Sequence, residues 1–145
     1  MSHVLIPLDG SFEHAFTTIR EGVKMAKALD AKVTLLQVIP NLDTSQVRLG
    51  CEVEKKNFDD EKATQVSFLE KCKEEFGDYQ DKVALEILVG HSGVPDEIDE
   101  YAREHDVSLI IIGTEGMGLS LKRMLVGSVT KKLLTITKIP TLVVS

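Results

Sequence analysis

Short apolar runs alternate with longer stretches of helical periodicity along the whole chain, and that alternation leaves few folds open. The run His3-Val4-Leu5-Ile6-Pro7-Leu8 predicts a buried strand, and Asp9-Gly10-Ser11 breaks it. From Glu13 to Leu29 the pattern turns helical, with Phe16, Ile19, Val23 and Ala26 on one face and Ser11 placed as the N-cap. Lys32 to Ile39 predicts a second strand, closed by Pro40-Asn41. After a polar loop to about Gly50, Glu52 to Phe76 reads as a long charged helix. Its weak stripe is Val66, Leu69, Cys72 and Phe76, and Gly77-Asp78 stops it. Lys82 to Val89 alternates as a third strand. Gly90-His91-Ser92-Gly93 then turns into a helix with Pro95 at its first position and Asp96 and Glu97 in its first turn, where the helix dipole favours acids. Ile98, Tyr101 and Ala102 form the apolar stripe of that helix. Val107 to Ile112 is the most hydrophobic strand and is expected in the middle of the sheet. A glycine-rich loop runs from Gly113 to about Met124, a last helix from Val126 to Thr137 carries Val129, Leu133 and Ile136 on one face, and Pro140 to Val144 is the final strand.

Strands that alternate with helices imply right-handed crossovers and a parallel sheet covered on both faces. The expectation is an α/β fold: a five-stranded, doubly wound, Rossmann-like sheet of strand order 3-2-1-4-5. At 145 residues the chain fits a single domain, 1–145. In such sheets a ligand sits beyond the carboxyl ends of the strands, where the winding direction reverses.

Charge and composition narrow the partners. A net charge of -6 argues against general affinity for nucleic acid or anionic membrane, since phosphate binding is driven by Lys and Arg. No apolar run approaches the ~20 residues that span a bilayer. The start, Met1-Ser2-His3-Val4, lacks a basic stretch followed by a long apolar region, so no secretory signal is expected and the cytoplasm is the expected compartment. Cys51 and Cys72 are too few for a disulfide scaffold and read as reduced thiols. His3, His14, His91 and His105 show no metal-ligand spacing, and Asp59-Asp60-Glu61, Asp96-Glu97 and Asp99-Glu100 read as wet helix faces. No nucleophile, base and orienter stand together, which favours a binding protein over an efficient enzyme.

The segment that carries most chemistry is Gly113-Thr114-Glu115-Gly116-Met117-Gly118, followed after Leu119 to Val126 by Gly127-Ser128-Val129-Thr130. Glycines let a backbone approach a phosphate, and Gly127-Ser128 opens a helix, where free N–H groups attract anions. Ser128 and Thr130 could add hydroxyl donors. Two readings stand side by side: a phosphate cradle, or glycines that only shape turns with Ser128 as an ordinary cap. No Gly-Lys-Ser/Thr follows the first strand, so this is not a P-loop. Lys122 and Arg123 in the loop read as solvated. A receiver domain is disfavoured, because Asp9 stands without a second acid and Gly90-His91 follows strand three.

These residues bring a family into view. Ile6-Pro7-Leu8-Asp9-Gly10-Ser11, Gly93-Val94-Pro95 with Ile98, Leu109-Ile110-Ile111-Ile112-Gly113-Thr114-Glu115-Gly116 with Gly127-Ser128-Val129, and Ile139-Pro140-Thr141-Leu142-Val143-Val144 together resemble the universal stress protein family over essentially the whole chain. The resemblance favours its nucleotide-binding branch and implies a regulatory protein of the stress response that binds ATP or AMP, with Mg2+ able to accompany a triphosphate. It implies that Pro7 and Asp9 face the adenine or ribose and that the main chain of Val38 contacts adenine. Ile112, Gly113 and Gly116 would then meet ribose and phosphate, and Gly127, Ser128, Val129 and Thr130 would hold the phosphates. It also implies a homodimer in which Thr141 to Val144 pair across a two-fold axis. One departure stands out: ten residues separate Gly116 from Gly127, where the nucleotide-binding branch has nine. The alternatives are a dimeric interaction module of the same family that binds no nucleotide, or a slow ATP hydrolase.

Overall fold

A computed structural model describes residues 2–8, 12–40, 51–90, 93–114 and 127–145. Five parallel strands, β1 (His3–Pro7), β2 (Lys32–Pro40), β3 (Val83–Gly90), β4 (Leu109–Gly113) and β5 (Thr141–Val144), form one sheet of order β3-β2-β1-β4-β5. Helices α1 (Phe12–Leu29), α2 (Cys51–Glu74), α3 (Val94–Glu104) and α4 (Ser128–Ile136) connect them. The fold and strand order are those expected from the alternation of elements.

Two apolar layers flank the sheet. One packs Ala15, Ile19 and Ala26 of α1 and Leu69 and Cys72 of α2 against Val4, Ile6, Val33, Leu35 and Ile111. The other packs Ile98, Tyr101 and Ala102 of α3 and Leu133 of α4 against Leu5, Leu36, Ile110 and Ile112. Neighbouring strand residues thus go to opposite layers, as the pleat requires. Because β1 and β4 are covered on both faces, their runs are continuously apolar.

Some expectations need correction. β4 is an inner strand, but the centre of the sheet is β1, whose five residues are all buried. Apolar content reports coverage of both faces, a property the two strands share. Phe16 is not on the buried face of α1; it is exposed, and its ring lies 5.7 Å from the Arg20 guanidinium. The buried stripe runs instead through Ile19 and the small residues Ala15, Thr18, Gly22 and Ala26, which let α1 lie close to the sheet. Val66 of α2 is likewise exposed, while Phe68, Leu69, Cys72 and Phe76 are buried. Gly77 does end that stretch, with a positive φ of 54° that suits glycine, and a 3-10 turn, Gly77–Lys82, leads into β3. Ser11, proposed as the cap of α1, lies outside the described residues.

The amino-end rim of the sheet holds a buried histidine. The His3 ring nitrogens lie 3.0 Å from the His105 carbonyl (Nδ1) and 2.7 Å from Thr34 Oγ1 (Nε2). A carbonyl only accepts, so Nδ1 carries the proton and Nε2 accepts from the threonine hydroxyl. Burial holds the His3 pKa below its ordinary value. Cys72 is a free buried thiol whose pKa burial pushes up to about 12, which makes it an inert packing group.

Candidate functional site at the carboxyl edge

The sheet reverses its winding between β1 and β4, and there the strands part. Their ladder pairs Val4 with Leu109 and Leu5 with Ile110 and goes no further. Ile6 and Pro7 on one side, and Ile111, Ile112 and Gly113 on the other, continue beyond it. Pro7 has no N–H to donate, so the ladder cannot extend through it on that side. β1 stays paired with β2 as far as Pro7 and Leu36. The carboxyl edge is therefore split at the switch point, where open α/β sheets hold their ligands.

The amino end of α4 is tied to this split. Thr114 N–H donates to the Val144 carbonyl at 2.8 Å, and Gly127 N–H donates to the Thr114 carbonyl at 2.7 Å. Thr130 Oγ1 donates to the Gly113 carbonyl at 2.8 Å. Gly127 is the N-cap and, among the described residues, no side chain caps the first turn. The first bond inside the helix runs from Lys131 N–H to the Gly127 carbonyl at 2.9 Å. Ser128, Val129 and Thr130 thus contribute three N–H groups that precede it. The first turn carries no acid, so the positive end of the helix dipole is not offset from within the helix. Such a turn is suited to an anion.

The structure separates the expected site residues by role. Pro7 ends β1, Ile112 and Gly113 end β4, and Val38 lies near the end of β2, half-buried. Gly113 packs against α1, where a methyl group on it would come 2.9 Å from Thr18 Oγ1. Ser128 is exposed at the first helical position. The cap is Gly127, not Ser128, and its own N–H is taken by Thr114. Thr130 is 1% exposed and its hydroxyl proton is engaged, so its remaining donor for a phosphate is the N–H. Asp9, Gly116, His91, Lys122 and Arg123 lie outside the described residues.

One residue at this edge was read otherwise from the sequence. Glu97, taken for a solvated first-turn acid, folds over the end of β3. A methyl group on Gly90 would come 2.9 Å from Glu97 Cγ and 3.2 Å from Val38 Cγ1. A glycine ending a strand just before a helix whose first turn holds a glutamate is the signal that could have found it. Among the described residues, no three His, Cys, Asp or Glu side chains group to hold a metal ion, and no helix is long and apolar enough to cross a membrane.

The model of the universal stress protein family matches residues 1–145. The chain belongs to the universal stress protein family. It is 29% identical over 147 aligned residues to universal stress protein YxiE of Bacillus subtilis, covering 97% of each chain. In fold it is similar to universal stress protein UspA from Lactobacillus plantarum, with a TM-score of 0.83 at 24% identity over 99% of this chain and 97% of that one. It is similar as well to the universal stress protein of Archaeoglobus fulgidus solved in complex with dAMP, with a TM-score of 0.68 at 19% identity over 100% of this chain and 98% of that one.

Proposed function

We propose that this universal stress protein is a regulatory protein that binds an adenine nucleotide, ATP or AMP, in the split between β1 and β4. The observation that carries the reading is the first turn of α4, which no described side chain caps. Its N–H groups at Ser128, Val129 and Thr130, which precede the first bond inside the helix, are anchored to the end of β4 by the Thr130–Gly113 bond. Phosphate binds there through the main chain. Pro7, Asp9 and the main chain of Val38 take the adenosine end, while Ile112, Gly113 and Gly116 line the passage between the two. A triphosphate would bring Mg2+ with it, held by phosphate oxygens and water. The dAMP bound by the Archaeoglobus relative supports a nucleotide of this class. In this reading residues 1–145 act as one domain in the cytoplasm, without nucleic acid or membrane partners, as a binding protein whose hydrolysis is at most weak. A homodimer through β5 accompanies it, since β5 is an edge strand whose four residues are all half-buried in the single chain.

The test is to denature the purified protein and identify what it releases. AMP or ATP at near one per chain is the expected result. If none is released and added ATP and AMP give no heat of binding up to millimolar concentration, the reading fails.

A further inference from the structure

The amino rim of the sheet carries a relay of hydrogen bonds that has only one direction. It runs through His3 of β1, Thr34 of β2 and Tyr101 of α3, all of them buried. His3 Nδ1 donates to the His105 carbonyl at 3.0 Å, since a carbonyl only accepts. That leaves Nε2 of the neutral ring as an acceptor, and Thr34 Oγ1 donates to it at 2.7 Å. The threonine proton is thereby spent, so in the bond between Tyr101 and Thr34 the tyrosine hydroxyl is the donor. The order is Tyr101 to Thr34 to His3 to the His105 carbonyl. The relay begins and ends on the last turn of α3. There the His105 ring stacks on the Tyr101 ring with centroids 3.8 Å apart, and its Nδ1 donates to the Tyr101 carbonyl at 2.9 Å. How this turn sits on β1 and β2 thus depends on which atoms of the relay carry protons.

We propose that this relay is a pH-sensitive switch, in which protonation of His3 turns the Tyr101 hydroxyl proton out of the core and loosens the last turn of α3. In the neutral relay every proton has its own acceptor. An imidazolium donates from both nitrogens, so one proton is then left without an acceptor inside the relay. Nδ1 keeps its bond to His105, and Nε2 now donates to Thr34. The threonine proton turns to Tyr101 Oη, and the tyrosine proton turns outward, where water and the charge of Glu86 on β3 receive it. A buried hydroxyl reaches water only if its turn of helix opens, because leaving it unpaired costs too much. Burial favours the neutral His3 ring most, against the pull of the His105 carbonyl. Lys32 of β2 and the His105 ring also oppose an imidazolium, and Asp106 favours it. The switch therefore acts on the acid side of pH 6.5. It lies at the opposite end of the strands from the first turn of α4, so it does not depend on a nucleotide.

The test is an NMR titration of the full chain from pH 7 to pH 5, following the His3 ring nitrogens and the Tyr101 ring, with amide hydrogen exchange at both ends. At pH 7 the His3 proton should be on Nδ1, and the Tyr101 ring should then shift with the same midpoint as His3. The amides of His105 and Val107, bonded to Tyr101 and Ala102, should lose about fivefold or more in protection on acidification, corrected for intrinsic exchange. Thr137, bonded to Leu133 at the end of α4, should change less. His3→Gln keeps both bonds without titrating and should abolish the step. Thr34→Val cuts the relay, so His3 should still titrate while Tyr101 no longer follows it. Either variant suffices if the other does not fold, and wild type alone decides if neither does. A proton on Nε2 at pH 7, or a His3 titration that leaves Tyr101 unmoved, overturns the proposal. So does a Tyr101 that still follows His3 in Thr34→Val. Equal loss of protection at Val107 and Thr137 overturns it as well, since acid would then open the whole fold and not this turn.

Discussion

Thr130 on α4 donates its hydroxyl proton to the main-chain carbonyl of Gly113 at the end of β4, over 2.8 Å. This bond fixes where the first turn of α4 sits relative to the split edge of the sheet. It also gives a residue read from sequence as a phosphate donor a structural duty. Thr130→Val keeps the shape and loses the donor, leaving a carbonyl unpaired in a site that is 1% exposed at the threonine. The expected cost is about 1–3 kcal/mol, measured by urea unfolding. A variant that lost nucleotide affinity at unchanged stability would assign the hydroxyl to the phosphate instead.

Gly113 and Thr18 form a second contact that sets the edge. Gly113→Ala would place its methyl group 2.9 Å from Oγ1 of the buried Thr18. Overpacking of this kind costs about 1–3 kcal/mol. Thr18→Ala removes the obstructing oxygen, so the double variant should recover part of that loss. A double-mutant cycle reads the coupling directly, and strict additivity would contradict it.

Gly127 tests the anion site without unfolding the protein. Its φ of -57° and ψ of 155° are open to any L residue, so the backbone does not demand glycine. Gly127→Ser supplies a capping oxygen that glycine lacks and should raise stability by a few tenths of a kcal/mol. The same oxygen occupies the N–H groups that a phosphate needs. Nucleotide affinity should therefore fall while the melting temperature holds or rises, and a parallel fall in both would point to misfolding of the turn.

His3 predicts acid sensitivity. Burial lowers its pKa in the folded chain from the ordinary 6.5, so the unfolded chain binds the extra proton more readily. Stability is full above about pH 6.5 and declines as pH falls from there through the lower folded-state value. His3→Gln removes the titration. Its unfolding free energy should change less than that of wild type between pH 7 and pH 5, and equal slopes would show that other groups control the acid limb.

The alternation of apolar runs and helical stretches made the sheet order legible, because buried parallel strands need continuous apolar runs wherever they sit. The expected order 3-2-1-4-5 already set β1 at the centre; apolar content alone could not rank β1 and β4, since both are covered on two faces. Helix faces were legible where large residues carried them, as with Ile98 and Tyr101. They were not where small residues did, and Phe16 was misplaced because α1 buries Ala15, Thr18 and Gly22 instead. Within the site, the helix start at Gly127-Ser128 was readable from glycine and hydroxyl residues. The division of labour there was not: the Gly127 N–H and the Thr130 hydroxyl are spent on neighbouring carbonyls, which only the fold brings within reach. Glu97 was hidden for a related reason, since only the fold lays its stem against Gly90 at the end of β3.

The most direct measurement is calorimetric titration of AMP and ATP into protein freed of any bound ligand, with wild type beside Gly127→Ser. The account predicts saturable binding near one nucleotide per chain, weakened in the variant at undiminished thermal stability. Absence of heat up to millimolar nucleotide, or binding indifferent to Gly127→Ser, would contradict a phosphate held at the first turn of α4.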